Sequence, residues 1–289
     1  MVLKKNHIIF SAKLIVIACA FYIIYKNADL DRISQYLKNI DSLSLIFAFI
    51  SLLTAQLVSS YRTRFYFASK GLYFNHKFSI GFYFTGMLLN NVLPGGIGGD
   101  GYKIYLVKKI ANFPKLTAFR LILSDRASGL LFLIFFAIAI FPFSSSYSFI
   151  NYAPILMAIC LIILFSGYFI STKILLKESY QTALKAAPYS FIIQLLNIIC
   201  VVFILYGLEA SLYADYIILF MISSIFAIIP ISIGGVGLRE LTFLYGADFL
   251  GLDPELGVTI AMLFFIITLI CSLNGFLFWH KLEKIYGEK

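Results

Sequence analysis

Long uninterrupted apolar runs are the feature that most restricts what this chain can fold into. An α-helix needs about 20 apolar residues to cross a bilayer, whereas a membrane β-barrel needs only short segments of alternating polarity. With 61% hydrophobic and 13% charged residues, the chain is expected to be an all-α polytopic membrane protein. The six runs that predict full spans are residues 8–25, 42–61, 117–141, 153–172, 186–208 and 257–279.

The net charge of +9 does not indicate nucleic-acid binding, because the lysines and arginines lie mainly in short loops between the spans. In such loops they set membrane topology and meet anionic lipid. The four cysteines lie inside apolar runs and the three histidines are scattered, so neither a metal site nor a cofactor is expected. The first span is interpreted as uncleaved, and residues 29–41 as an amphipathic helix in the membrane interface.

Two helix-breaking stretches repeat one pattern, Pro-x-x-Ile-Gly-Gly-x-Gly-x-(Lys/Arg), at an offset of 136 residues. The first runs from Pro94 to Lys103 and the second from Pro230 to Arg239. Proline and clustered glycine interrupt helices. In the membrane, broken backbone is tolerated only where it is buried in protein or lines a wet cavity.

Loop charges decide how the two breaks are interpreted. If every run crossed fully, the lysines of 103–115 and the cation-free loop 142–152 would both violate the positive-inside rule. If residues 78–112 and 216–250 are re-entrant hairpins, every short loop obeys the rule. The chain then divides into pseudo-repeat halves, about 1–143 and 144–289, of opposite orientation, as in secondary transporters. The alternative is two simple glycine-rich loops between full spans.

A helix that restarts after paired glycines offers free N–H groups and a positive dipole end, which suit a phosphate. Lys103 and Arg239 would each add a charge about one turn later, so the sequence predicts two head-group sites. The alternative role of the glycines is close helix packing. The predicted head-group residues are Asn91, Gly98, Gly99, Asp100, Lys103, Gly234, Gly235, Gly237, Arg239 and Glu240.

Three charged residues near the start of one apolar run form a second set, Arg120, Asp125 and Arg126. Charges inside a span are costly and usually functional, so these residues are expected to line or gate a lipid path. A structural Asp–Arg pair is the alternative, and both a deep and a near-surface position remain open for Asp125. Arg62 and Arg64, at the end of a span, are interpreted as topological.

Three ordered motifs give the chain its resemblance to a known family. They are Asn91-x-x-Pro-Gly-Gly-Ile-Gly-Gly-Asp100, Ser124-Asp-Arg-x-x-Gly-Leu130 and Pro230-x-Ser-Ile-Gly-Gly-x-Gly-x-Arg-Glu240. With them the chain resembles the membrane domain of lysylphosphatidylglycerol synthase, a family of flippase-like integral membrane proteins. Lys103 stands where we would expect arginine more often in that family, which keeps the charge but loses the bidentate fork for phosphate.

The resemblance implies a bacterial or archaeal cytoplasmic (inner) membrane location, and the loop charges place both termini in the cytoplasm. Fused members of the family move an aminoacylated phospholipid to the outer leaflet and carry a soluble synthetase domain, which this sequence does not include. The partners expected are therefore a membrane phospholipid or a polyprenyl-phosphate lipid. A separate synthetase and a homo-oligomer are the two assemblies considered.

The leading hypothesis is a lipid flippase or transporter without its own ATPase, since the sequence contains no Walker motif. The second is an intramembrane lipid-modifying transferase, for which Asp100, Asp125 and Glu240 are the candidate acids. The third is a non-catalytic membrane scaffold.

Overall fold

The fold is all-helical in the part of the chain that the computed structural model describes, namely residues 18–20, 22–93, 98–149, 151–174, 177, 179–228 and 235–287. Residues 22–27 are helical and precede the first complete element. Two 3₁₀ turns, Phe141–Phe143 and Ser145–Phe149, follow α5. The α-helices are α1 Leu30–Asn39, α2 Ser42–Ala68, α3 His76–Val92, α4 Gly98–Ala111, α5 Lys115–Ile140, α6 Ala153–Ile174, α7 Tyr180–Gly207, α8 Tyr213–Ile228, α9 Leu238–Phe249, α10 Pro254–Ser272, α11 Asn274–Trp279 and α12 Leu282–Gly287.

Five helical stretches within the described residues are long and apolar enough to cross a membrane. They correspond to five of the six predicted spans, and the multi-pass membrane class is therefore confirmed. Most of the remaining predicted span, 8–25, lies outside the described residues. The five stretches are α2, α5 with its 3₁₀ continuation, α6, α7, and α10 with α11.

Short polar side chains mark where several helices begin, as capping chemistry requires. The carboxylates of Asp29, Asp41 and Asp253 each accept hydrogen bonds from backbone N–H groups in the first turn of the helix that follows. The side chains of Asn75 and Ser179 do the same for α3 and α7. These helix starts are therefore set by local capping residues, which can be recognised in the sequence.

The centre of the fold is the long antiparallel pair α2 and α7. At one end the Asp41 amide donates to the Gly207 carbonyl at 3.1 Å. In the middle the Ser51 hydroxyl donates to the Leu196 carbonyl at 2.8 Å. At the other end the ring of Phe65 stacks on Tyr189.

The helices on either side of each break fold back on one another as antiparallel hairpins. In the first hairpin, α3–α4, Phe74 and Phe113 flank the two outer ends, and both rings contact Phe67 at the end of α2. In the second, α8–α9, the Tyr216 hydroxyl donates to the carbonyl of Asp253 at 3.2 Å, so its outer ends also meet. Asp253 also accepts a hydrogen bond from the hydroxyl of Tyr36. Tyr36 lies in α1, shortly before α2 begins. The outer ends of the two hairpins, away from the breaks, therefore lie at opposite ends of α2.

Four helices begin at nearly constant offsets from four later ones, taken in the same order. Their first residues lie 137 to 140 positions apart, in the pairs Ser42 and Tyr180, His76 and Tyr213, Gly98 and Leu238, and Lys115 and Pro254.

Candidate functional site

A polar cavity of about 240 Å³ lies beside the first break, enclosed by α2, α3, α4 and α5. It brings together the first glycine motif and the charged set on α5, which are separated in sequence by about one helix. Its position within a bundle of apolar helices makes its concentration of charge unusual. The cavity is lined by Arg62, Thr63, Tyr83, Met87, Asn90, Asn91, Asp100, Lys103, Ile122, Asp125 and Arg126.

One wall of the cavity is built on a buried ion pair between α2 and α5. The Nε of Arg62 lies 2.7 Å from Oδ1 of Asp125, and both side chains are almost fully enclosed. The guanidinium also donates to the hydroxyl of Ser190 on α7 at 2.9 Å. Asp125 is therefore buried within the protein. The Asp–Arg pair that was one of the alternatives for it is present, with Arg62 as the partner.

A second ion pair joins the break to α5. Arg126 Nε lies 2.6 Å from Oδ2 of Asp100, and a third of the arginine side chain is exposed while the carboxylate is largely enclosed. Asp100 stands in the first turn of α4, where a carboxylate also interacts favourably with the helix dipole. The pair therefore ties the restarted helix to the long apolar helix beside it.

Lys103 is the cation of the cavity that forms no ion pair with a carboxylate among the described residues. The residue is only 6% exposed, and no hydrogen bond or ion pair of its ammonium group exists among the described residues. Its Nζ lies 4.7 Å from the centre of the Tyr83 ring and 5.8 Å from that of Phe82, so aromatic faces give it partial compensation.

The polar groups at the tip of the first hairpin divide between two roles. The side-chain oxygen of Asn90 accepts a hydrogen bond from the Gly99 amide at 2.8 Å, so this N–H is already satisfied within the protein. The Nδ2 of Asn91 is buried without an acceptor among the described residues, and the residue lines the cavity. Asn91 is therefore a residue near the hairpin tip whose side-chain N–H donor is available to a ligand in the cavity.

The glycines of the first break allow close helix approach. A Cβ on Gly99 would lie 1.8 Å from the carbonyl oxygen of Gly86, and a Cβ on Gly86 would lie 2.2 Å from the Cε of Lys103. A Cβ on Gly98 would meet the side chain of Leu93 at 2.6 Å. The glycines thus have the packing role that was the alternative for them. Because Gly86 has no side chain, Lys103 can pass across α3 into the cavity.

The second break has a different environment. Gly234 lies outside the described residues, while Gly235 and Gly237 have φ values of +85° and +86°, which favour glycine. The Glu240 carboxylate is buried and accepts from the Gly237 amide at 2.7 Å, so it caps α9. Arg239 stacks on Phe264 at 4.7 Å and Phe220 at 5.5 Å, and its Nη1 is buried without a partner among the described residues.

The predicted residues that the structure describes therefore divide into four groups. Gly98 and Gly99 pack against Leu93 and Gly86 at the start of α4 and do not line the cavity. Asn91, Asp100, Lys103, Asp125 and Arg126 meet in one cavity. Gly235, Gly237, Arg239 and Glu240 belong to the second break, apart from it. Arg120 is partly exposed and does not line the cavity, and its side chain has no ion pair among the described residues.

Arg62, Thr63 and Tyr83 line the cavity, and sequence reasoning missed all three as site residues. Arg62 was interpreted as topological because the predicted span stopped at residue 61, whereas α2 continues to Ala68. The aromatic run Phe65–Phe67 after the arginines is the signal that could have extended the helix. Tyr83, whose hydroxyl donates to Gln56 at 2.9 Å, had no signal, because nothing local distinguishes it from other aromatic residues.

No cluster of three or more metal-ligating side chains exists within the described residues. The charged groups of the cavity are three cations and two carboxylates, and each carboxylate is paired with an arginine. The arrangement is suited to holding an anionic group by charge and hydrogen bonds.

Comparisons with known proteins agree with this membrane architecture. No curated protein and no solved structure matched the chain. The model of one family, described as the lysylphosphatidylglycerol synthase TM region, matches residues 10–275. Since that match takes in both hairpins and every residue of the cavity, the chain belongs to the lysylphosphatidylglycerol synthase transmembrane-region family.

Proposed function

We propose that the protein is a lipid flippase or transporter that moves a phosphate-containing lipid between the two leaflets of its membrane. The observation that carries this proposal is the cavity, which holds Arg62, Lys103 and Arg126 with Asp100 and Asp125 among apolar helices. Ionisable groups in such a place are expensive and mark substrate pathways. Because both carboxylates are paired with arginines, the geometry favours binding over acid–base catalysis.

The arrangement of the helices supports the same proposal. We interpret the recurring helices as an inverted repeat, with halves 1–143 and 144–289 and two re-entrant hairpins. The corresponding helices α2 and α7 pack antiparallel, and the hairpins open toward opposite ends of α2. Each half's last span also packs on the other half's hairpin, α5 on α8 and α10–α11 on α3. Inverted repeats around a midplane site are the plan of many secondary transporters.

The family and the loop charges support a proposal for the membrane and for the lipid. We place the protein in a bacterial or archaeal cytoplasmic membrane with both termini inside, in keeping with the positive-inside rule. The family description supports a phospholipid as cargo; a polyprenyl-phosphate lipid is a second form of the same phosphate chemistry. A separate synthetase or a second copy of the chain is the proposed protein partner.

Purified protein in proteoliposomes tests the function directly. Vesicles carry a fluorescent phospholipid in both leaflets, and a membrane-impermeant quencher reports how much of it reaches the outer leaflet. We expect quenching beyond half of the signal only in vesicles that contain the protein. Absence of movement under imposed proton, sodium and potassium gradients, with correctly folded protein, would contradict the proposal.

A matched pair of variants links the movement to the cavity. Arg126→Gln removes a cavity cation, whereas Lys108→Gln makes a similar change on the exposed side of α4, where the lysine contacts Asn112. We expect Arg126→Gln to lower the rate and Lys108→Gln to leave it unchanged. Equal rates in both variants would place the lipid path elsewhere.

A further inference from the structure

We propose, on the basis of the function proposed above, that the segment Asn274–Gly287 is a strap that holds a gate of the cavity closed. The gate is a buried apolar cluster between the cavity and the outer ends of the first hairpin. Release of the strap would let α3 and α4 move away from α2 and α5, and so open the cavity toward the membrane surface at which α3 begins. The outer helix of the strap, α12, lies beyond residues 10–275 that the family model matches.

The gate is recognised by its position on the four helices that enclose the cavity. On each helix a gate residue lies about one turn closer to the outer ends of the first hairpin than a residue that lines the cavity. All four of these gate residues are fully buried. The pairs of lining residue and gate residue are Thr63 and Phe67 on α2, Tyr83 and Phe78 on α3, Lys103 and Val107 on α4, and Asp125 and Leu121 on α5.

Aromatic packing connects the cavity to the gate. The ring of Phe82 lies 5.8 Å from the Lys103 ammonium, and the same ring contacts Phe67 at 5.6 Å and Phe78 at 5.5 Å. A charged head group that crossed this layer would lose its hydration without gaining a polar partner, which is costly. The gate therefore closes the cavity on the side of the outer ends.

The first helix of the strap, α11, is anchored closely on α3. A Cβ on Gly275 would lie 2.5 Å from the carbonyl oxygen of Phe84, and the Thr85 hydroxyl donates to the Gly275 carbonyl at 3.3 Å. A Cβ on Gly81 would lie 2.8 Å from the ring of Phe278. Because both contacts depend on the absence of a side chain, α11 is the fixed end of the strap.

The second helix of the strap, α12, joins the gate and ties both legs of the hairpin. Leu282 and Ile285 pack in the same apolar cluster and are 0% and 4% exposed. The Asn75 side chain, before α3, donates to the Ile285 carbonyl at 3.2 Å, and Lys109 on α4 lies 2.6 Å from the Glu283 carboxylate. About half of each charged side chain is exposed, so this ion pair is weak. The α12 end of the strap can therefore be released while α11 stays in place.

Access of a thiol reagent to the cavity tests the strap without requiring any lipid movement. Met87→Cys places a thiol in the cavity wall in a cysteine-free background, and a charged reagent is applied to vesicles from the side at which α3 begins. Glu283→Lys replaces the ion pair by repulsion from Lys109, and we expect it to raise the labelling rate about three- to tenfold. Lys284→Glu reverses a charge on the same helix that has no ion pair among the described residues, and it should leave the rate unchanged. Equal rates in the two variants would overturn the proposal.

Locking the strap tests the same device in the opposite direction. A short bifunctional thiol reagent joins cysteines introduced as Lys109→Cys and Glu283→Cys, at positions whose native side chains meet. We expect the bridged protein to lose most of its lipid movement in vesicles. The same reagent between Lys281→Cys and Lys284→Cys joins two exposed positions within the strap and should leave the movement unchanged. Full movement in the protein bridged between positions 109 and 283 would contradict the strap.

The two experiments separate this inference from the proposed function. Faster labelling in the Glu283→Lys variant, without lipid movement in any variant, would sustain the strap and contradict the transport function. Lipid movement that neither the bridge nor Glu283→Lys alters would sustain the transport function and overturn the strap.

Discussion

At the scale of single residues, the buried charges of the cavity are held in pairs. Breaking one member of a buried pair leaves the other uncompensated, which costs far more than the pair contributes as a whole. Arg62 and Asp125 are 6% and 8% exposed, so water offers little compensation. Their pairing should therefore matter for stability as well as for the cavity.

Asp125→Asn should lower the free energy of unfolding by about 3–5 kcal/mol, because it leaves the Arg62 guanidinium buried without its counter-charge. Thermal unfolding in detergent micelles is the measurement. Arg120→Gln on the same helix is the control and should change stability by no more than about 0.5 kcal/mol. Similar shifts in the two variants would show that the pair contributes nothing particular.

At the scale of helices and hairpins, glycine decides how closely α3 and α4 approach. Gly99 faces the backbone of Gly86, whereas Gly101 faces open space with nothing within 4 Å of an added Cβ. Both residues lie within α4, so the same substitution at the two positions separates packing from helix propensity.

Gly99→Ala should destabilise the protein by about 1–3 kcal/mol through overpacking, since its Cβ would lie 1.8 Å from the Gly86 carbonyl oxygen. Gly101→Ala should be neutral or stabilising by up to about 1 kcal/mol, because alanine is the better helix former. Melting temperatures of the two purified variants provide the comparison. Equal effects would mean that the hairpin is not tightly packed at its tip.

The amphipathic helix α1 is fastened to the start of α10 by a second polar cluster. Arg32 contacts Asp253 at 2.5 Å and Glu255 at 3.2 Å, and the Tyr36 hydroxyl donates to Asp253 at 2.8 Å. Burial raises the pKa of Asp253, but hydrogen bonds from the Leu256 amide and Tyr36, with the charge of Arg32, outweigh it, so its pKa lies below the ordinary value.

A lowered pKa of the folded-state carboxyl predicts how stability depends on pH at this contact. Asp253 should stabilise the fold above about pH 4, where the unfolded-state carboxyl is also ionised, and lose this contribution as the pH falls through its lower folded-state pKa. Half of the Arg32 side chain is exposed, so the contribution is at most about 1 kcal/mol. Asp253→Asn should therefore lower the melting temperature slightly at pH 7, and the difference should shrink as the pH falls below about 4. A difference that grows in acid would refute this sign.

At the scale of the whole molecule, the outer ends of the two hairpins lie at opposite ends of α2. Phe74 and Phe113, which flank the first hairpin, both contact Phe67 at one end of α2. The second hairpin closes at the other end of α2, near Asp253 and Tyr36. If both hairpins are re-entrant, as proposed above, this geometry means that they enter the bilayer from opposite sides.

Single cysteines in a cysteine-free background test that topology with a membrane-impermeant thiol reagent. Cysteines at Lys70 and Asn112 should be labelled from the same side, and cysteines at Glu209 and Gly251 from the opposite side. Asn112 is the decisive position, because a single full crossing by α3, with the break as an external loop, would place it opposite Lys70. Labelling of Lys70 and Asn112 positions from opposite sides would refute the re-entrant hairpin.

The sequence by itself determined the membrane class, the spans that the structure describes, the two breaks and the family motifs. These depend on local properties: apolar run length, helix breakers and capping residues act on their own neighbourhoods. Even here the sequence placed the end of α2 too early, because Arg62 and Arg64 are typical of a loop, and only the tertiary contacts show that Arg62 is buried.

The tertiary structure decided which charges meet. Arg62 and Asp125 are 63 positions apart and Asp100 and Arg126 are 26 apart, and no local pattern specifies such pairings. It also separated the two breaks that the sequence presented as equivalent, since Lys103 enters a polar cavity while Arg239 packs between Phe220 and Phe264. The physical reason is that the energy of a buried charge depends on its neighbours in space, and only folding brings those neighbours together.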